Sequence, residues 1–301
     1  MSQTLLQPTF GTKIAVFSLL RNASKGGCLM KMHAKLSEKT VLDLLRKKWC
    51  EVPGTLADRV YSSDLLEISD DQEFLNAWFE LYKQNCGGNG FNVRGWYHEL
   101  YTPLAKQNGE WLEVGSGLGF DGVFFAGYCG AKVTFLDIIT DNLAVIERVC
   151  KLLDIKDVKF KHLKCLDSIH DLSHYDVIMA IGSLINAPYP MMSKERKLLA
   201  DHLKADGRWL ELAYPKERWV REGCLPFDEW GKKTDGENTP YMDWYDLPKI
   251  LHSLRPHKFD VLLNYPFHNH DFIFFDLMKS GAQQTKSDHL PKLEKSLELA
   301  S

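Results

Sequence analysis

The stretch Leu112-Glu113-Val114-Gly115-Ser116-Gly117-Leu118-Gly119 limits what this chain can fold into more than any other. Trp111 to Val114 reads as a short buried strand, and the glycines after it let the backbone turn sharply and approach a ligand where a Cβ would collide. Phe120 to Cys129 continues as a helix that stops at Gly130. The first turn of such a helix carries unpaired N–H groups, so strand, turn and helix together present a polar anchoring point.

The same unit recurs along the chain. Lys132 to Ile139 is a second strand, followed by a helix from Asp141 to Leu153, and Val158 to Leu163 is a third strand. Tyr175 to Ile181 is a fourth, apolar nearly throughout and therefore buried on both faces. Ser193 to Leu203 is a helix closed by Asp206-Gly207, and Arg208 to Ala213 is a fifth strand. This alternation implies a parallel, doubly wound α/β sheet. The last two strands, Phe259 to Asn264 and Asp271 to Met278, are joined by a short turn. They must form an antiparallel hairpin, because a parallel crossover needs about a dozen residues.

Ahead of the glycine turn the pattern is helical. Val41, Leu44, Leu45 and Trp49 share one helix face, and Phe74, Leu75, Trp78, Leu81 and Tyr82 share another. Ser69 and Gln72 have capping-box spacing at the start of the second helix. The pattern divides the chain into a loosely ordered extension (1–35), a helical cap (36–104), an α/β domain (105–280) and a flexible tail (281–301). Within the α/β domain, residues 215–244 follow the fifth strand and place Trp219, Trp230, Tyr241 and Trp244 among charged side chains. Such an insertion at the carboxyl edge of the sheet is expected to act as a lid.

Composition narrows the function classes. A formal net charge of -3 provides no basic field to gather nucleic acid or an anionic membrane, so neither is an expected partner. Seven cysteines without a Cys-x-x-Cys pair suit a reducing compartment, with cytoplasm as the expected location, and supply no structural zinc site. His268 and His270 lack a third ligand at convincing spacing, so no metal is expected. No apolar run approaches the roughly 20 residues of a membrane span. Nothing in the sequence speaks to oligomeric state.

Asp137 closes the second strand about 20 residues beyond the glycine turn, where a carboxylate can grip a ribose diol. Two nucleotides compete for this arrangement, since Gly117-x-Gly119-x-x-Gly122 also satisfies the dinucleotide fingerprint. Glu113 puts a second carboxylate inside the turn, which suits the ammonium of a methionine moiety and repels a pyrophosphate. The late position of the motif and the closing hairpin point the same way.

From Trp111 to about Met278 the chain resembles the class I S-adenosylmethionine-dependent methyltransferases. The resemblance implies a Rossmann-like, seven-stranded, mostly parallel sheet with a helical cap, and S-adenosylmethionine as cofactor. It assigns the cofactor turn to Glu113, Gly115, Ser116, Gly117 and Gly119, the ribose acid to Asp137 and the adenine-stacking residue to Ile138. It further implies an adenine-amine contact at Asp167 and a methionine or methyl site at Gly182. For the acceptor side, Arg94, Trp96, Tyr97 and Trp244 are the candidate binding residues, and His268 or Tyr97 the candidate catalytic groups. The expected reaction is O- or N-methylation of a small polar metabolite or saccharide-type acceptor. An NAD(P)-dependent oxidoreductase and a non-catalytic binding module that retains the fold are the alternatives.

Overall fold

A computed structural model describes residues 36–52, 60–87 and 93–281, so the expectations for 1–35 and 282–301 lie outside the described residues. The strands are β1 (Glu110–Val114), β2 (Lys132–Asp137), β3 (Val158–His162), β4 (Tyr175–Ile181), β5 (Leu203–Ala213), β6 (Phe259–Phe267) and β7 (Phe272–Lys279). They form one seven-stranded sheet in the order β3-β2-β1-β4-β5-β7-β6. The first five are mutually parallel, while β7 runs antiparallel to both β5 and β6. The chain therefore reverses its winding between β1 and β4, and the crevice of a doubly wound sheet opens at that point, beyond the carboxyl ends of the strands.

Side-chain alternation along β1 feeds two cores. Leu112 and Val114 join Ile178 and Trp209 on one face, packed by helices α1 (Glu38–Trp49), α7 (Tyr189–Asp201) and α10 (Leu247–Ser253). Trp111 joins Val133, Phe135 and Val177 on the other, packed by α3 (Asp71–Cys86), α4 (Val93–Ala105), α5 (Phe120–Cys129) and α6 (Thr140–Leu152). The short α2 (Ser62–Glu67) lies against α6. The expected lid is helical, with α8 (Lys216–Arg221) and α9 (Phe227–Asp235).

Several boundaries differ from the sequence expectation for local reasons. β2 stops at Asp137, because that side chain accepts the Ile139 N–H at 2.8 Å and turns the chain. α7 begins at Tyr189, with Pro190 in the first turn, where a missing N–H costs no hydrogen bond. β5 starts at Leu203 and absorbs Asp206-Gly207 as an irregularity in its pairing with β4. Asp70, rather than Ser69, caps α3 by accepting the Glu73 N–H at 2.8 Å.

One buried acid binds the helical cover to the sheet. Asp121, in the first turn of α5, is 1% exposed and meets three side chains of α4: Arg94, Tyr97 and His98. Burial opposes its ionisation, but the Arg94 guanidinium and the hydrogen bonds from His98 and Tyr97 hold the carboxyl well below the usual carboxylate range. A second acid, Asp276 of β7, does the same at the far end of α4 by binding Tyr101 at 2.6 Å and Arg208 at 2.7 Å. Asp121→Ala should destabilise the protein by about 3 kcal/mol, the low end for a broken buried pair because Arg94 keeps a quarter of its side chain exposed. Thermal unfolding should register this as a fall of roughly 6–12 °C. The exposed Asp167→Ala serves as control and should leave the transition in place.

Candidate functional site at the carboxyl edge

The glycine turn is held open from both sides. The Gly115 N–H donates to the Leu136 carbonyl at 2.7 Å, and the Gly119 N–H closes the turn onto the Ser116 carbonyl at 2.7 Å. Gly115 has φ +67°, and a Cβ there would fall 2.4 Å from that of Ser183. Only glycine lets the β1 and β4 exits come this close. Gly117 (φ +54°) has nothing within 4 Å of the position a Cβ would take, so its missing side chain leaves free volume. Gly182, after β4, has the same property. Gly119 differs: it starts α5 and faces Ile146.

Asp137 sits opposite, 4% exposed. It accepts the Gly117 N–H at 2.8 Å, the Ile139 N–H at 2.8 Å and the Asn142 amide at 3.3 Å. Burial pushes the carboxyl up to about 6 against the pull of those donors. Glu113 is also buried, and burial with the nearby Asp121 charge raises its carboxyl well above the ordinary range, partly opposed by Arg94 and the Gly122 N–H. Among the described residues its Oε2 has no hydrogen-bond partner, nor has Ser183 Oγ on the facing strand exit.

These groups line one cleft of about 860 Å³. Glu113, Gly115, Ser116, Gly117, Asp137 and Ile138 form its β1–β2 wall, and Gly182, Ser183 and Leu184 its β4 wall. Leu42, Leu45, Lys48 and Trp49 of α1 cover it. Leu163, Met192 and Glu195 line it on the side of the β3 exit. Asn186, Tyr214, Arg218, Thr234, Asp235 and His268 line it on the side of the β5 exit. The insertion after β5 thus contributes a wall through α8 and α9.

Of the residues expected from sequence, the structure places Arg94, Glu113, Gly115, Ser116, Gly117, Asp137, Ile138, Gly182 and His268 on the cleft. Gly119 shapes the turn without facing it. Asp167 is displaced: it lies in a 3-10 turn with its side chain 79% exposed, 3.7 Å from Lys194. Lys164-Cys165-Leu166 lengthens the exit of β3 enough to carry it away. Trp96, Tyr97 and Trp244 are absent from the lining for a common reason, since each finds apolar or charged partners elsewhere. Trp96 packs on Tyr265, Phe267 and Phe274; Tyr97 is fully buried with its hydroxyl on Asp121; Trp244 stacks on Trp219 under Lys249. Tyr97 therefore supports Arg94 from behind and does not face the cleft.

Two acids that face the cleft went unread in the sequence. Glu195, on α7, is 6% exposed, and burial together with Glu38 and Glu211 pushes its carboxyl up to about 7 against the pull of Arg196. Asp235 ends α9 and accepts hydrogen bonds from Tyr214 at 2.8 Å and Asn186 at 3.3 Å. Helical residues flanked by other charges carry no local sign that tertiary packing will turn them inward.

In sequence the chain matches no known family model and no curated protein. Its structure is similar to that of an O-methyltransferase family protein from Burkholderia thailandensis, with a TM-score of 0.51 at 11% identity over 73% of this chain and 68% of that one. The insertion of an antiparallel β7 between β5 and β6 separates it from the parallel order β3-β2-β1-β4-β5-β6 of dinucleotide domains. This chain has the class I methyltransferase fold. Other proteins similar to it are magnesium protoporphyrin IX methyltransferase from Synechocystis PCC 6803 with bound SAH (TM-score 0.48, 15% identity, 70% of this chain and 98% of that one). An N-methyltransferase from Bradyrhizobium japonicum WM9, also in complex with SAH, follows at a TM-score of 0.45 and 11% identity, over 68% and 99% of the two chains. Among the described residues no helix is long and apolar enough to cross a membrane.

In this methyltransferase fold the raised Glu195 carboxyl links stability to pH. The folded protein holds its proton between about 4.5, the unfolded value, and about 7, so stability is full below that window and falls as pH rises through it. Glu195→Gln should flatten this part of the stability–pH curve, measured by denaturant unfolding at a series of pH values. An unchanged slope would place Glu195 in solvent.

Proposed function

We propose that this protein is an S-adenosylmethionine-dependent methyltransferase that methylates an oxygen or nitrogen of a small polar acceptor. One observation carries the reading: Gly117 and Gly182 leave free volume on facing walls of one cleft, with the Asp137 carboxylate at its edge. The orphaned Glu113 Oε2 and Ser183 Oγ on those walls fit a polar ligand that brings its own donors and acceptors.

S-adenosylmethionine supplies a methyl group already activated on a sulfonium, so the protein's task is chiefly to align the acceptor with it. Alignment of that kind accounts for about 7–11 kcal/mol of a barrier. Asp137 binds the ribose. Its three internal hydrogen bonds use most of the roughly four acceptor sites of a carboxylate, leaving room at Oδ1 for one hydroxyl. Ile138, Leu163 and Met192 provide the apolar slot for the adenine, and Glu195 takes the place expected of Asp167 beside it. Arg94 stands at the opposite, methionine end. The wall built by α8 and α9 then faces the acceptor.

Calorimetry against S-adenosylhomocysteine and, separately, NADH tests the reading. S-adenosylhomocysteine should bind and raise the melting temperature, and NADH should do neither. Gly117→Val should weaken S-adenosylhomocysteine binding by at least about tenfold, with a stability loss of about 1–3 kcal/mol from the strained φ. Stabilisation by NADH alone would transfer the protein to the oxidoreductases.

A further inference from the structure

The end of the cleft remote from Asp137 contains more ionisable groups than positioning a methyl acceptor requires. Their pairing identifies what belongs there. Lys48 of α1 is 4% exposed and bound to Glu51 at 2.7 Å, and Asn238 holds the other Glu51 oxygen at 3.2 Å. Arg218 of α8 is ion-paired with Glu222 at 2.9 Å and stacked over the Tyr214 ring at 4.4 Å. Asp235 is different: among the described residues no Lys, Arg or His lies within ion-pairing distance of it. Its partners are the neutral donors Tyr214 and Asn186. Beside it, Thr234 Oγ1 is buried and has no hydrogen-bond partner among the described residues. Both residues line the cleft.

We infer that Asp235 is the proton acceptor for methyl transfer to a hydroxyl group, and that the acceptor is a neutral polyhydroxylated molecule such as a sugar or cyclic polyol. This deepens the methyltransferase reading and rests on it. Charge selects the class. Glu51 and Glu222 neutralise Lys48 and Arg218, so the charge that remains in the chamber is that of Asp235, which repels a carboxylate or phosphate. A protonated amine has no lone pair with which to attack, and the sulfonium it would have to approach repels it. A neutral hydroxyl escapes both penalties and donates to Asp235, while the free Thr234 hydroxyl meets a neighbouring hydroxyl of the same molecule. In the reaction the acceptor oxygen forms the new bond to the methyl carbon. The carbon–sulfur bond breaks with its electron pair left on sulfur, and the hydroxyl proton passes to Asp235.

Asp235 has a carboxyl raised by burial, with Tyr214, Asn186, Lys48 and Arg218 pulling it back down. Its position in the cleft wall shields it from bulk water, which the exposed His268 at the tip of the β6–β7 hairpin lacks. His268 therefore forms the rim, and the expectation that it is the catalytic base moves to Asp235.

The test is transfer from methyl-tritiated S-adenosylmethionine to three sets of probes: neutral monosaccharides and inositols, primary amines, and carboxylic acids. S-adenosylhomocysteine affinity is measured in parallel. Label should enter an ether oxygen of a polyol. Asp235→Asn should lower that rate roughly 100- to 10,000-fold while leaving S-adenosylhomocysteine affinity close to wild type. Tyr214→Phe removes a donor that favours the ionised carboxylate, so the ascending limb of the pH–rate profile should move to higher pH. Should Asp235→Asn fail to fold, product identity and the Tyr214→Phe limb decide. Label in amines or carboxylates, transfer undiminished in Asp235→Asn, an unmoved limb, or no transfer to any polyol by protein that binds S-adenosylhomocysteine would overturn the inference alone. Failure to bind S-adenosylhomocysteine would overturn the methyltransferase reading with it.

Discussion

The hydrogen bonds that Asp137 accepts from the Gly117 and Ile139 N–H groups tie the exit of β1 to the exit of β2, and the cleft exists because of that tie. Without it, a turn with left-handed glycines at the alternate positions 115, 117 and 119 would have many conformations, since glycine gives up more backbone freedom on ordering than any other residue. The tie is reinforced from the helical cover. Ser62 of α2 donates to Asn142, which itself donates to Asp137. Trp78 of α3 donates its indole N–H to the Leu118 carbonyl at 3.0 Å. Helices that precede the sheet in the chain thus hold both sides of the turn.

The same logic of buried polar groups extends outward. A charged pair in a low-dielectric interior is costly unless fully hydrogen-bonded, and breaking one leaves an uncompensated charge. Asp121 satisfies this by gathering Arg94, Tyr97 and His98, which positions Arg94 at the cleft. Arg196 meets it in part, binding Glu211 and the Leu184 carbonyl at 2.6 Å and so setting the loop after β4, while its Nη1 has no hydrogen-bond partner among the described residues. Two internal ion pairs therefore shape the cleft, one by placing Arg94 in its wall and the other by holding the Leu184 carbonyl of its β4 wall. The cover helix α1 is attached in the same way, with Arg46 donating to the Lys164 carbonyl at 2.6 Å and Glu38 bridging the Leu166 N–H and Lys194.

How much of this could be read in advance follows from the range of the signals. The strands were legible because apolar runs such as Tyr175 to Ile181 and the glycine turn are local patterns, and the antiparallel hairpin followed from the shortness of one connection. That Gly117, Asp137, Ile138 and Gly182 line one cleft was legible because they sit at strand exits, whose place depends on topology alone. Residues on helices and in aromatic clusters were not. Trp96, Tyr97 and Trp244 look like recognition side chains in sequence, yet large rings stabilise most when buried, and each found a packing site first. Glu195 and Asp235 look like solvated charges and are turned inward by contacts between elements far apart in the chain. Asp121 was readable as a first-turn acid but not as the buried hub it is.

As proposed above, one cleft, held by Asp137 and covered by α1, receives an adenosyl ligand along the β1, β2 and β4 exits. Hydrogen–deuterium exchange of the protein with and without saturating S-adenosylhomocysteine measures this directly. Slowed exchange should concentrate in residues 112–120, 136–143 and 181–186, with further protection in α1. Protection confined to other segments, or none at the Gly115–Gly119 turn and Asp137 while the ligand is bound, would contradict it.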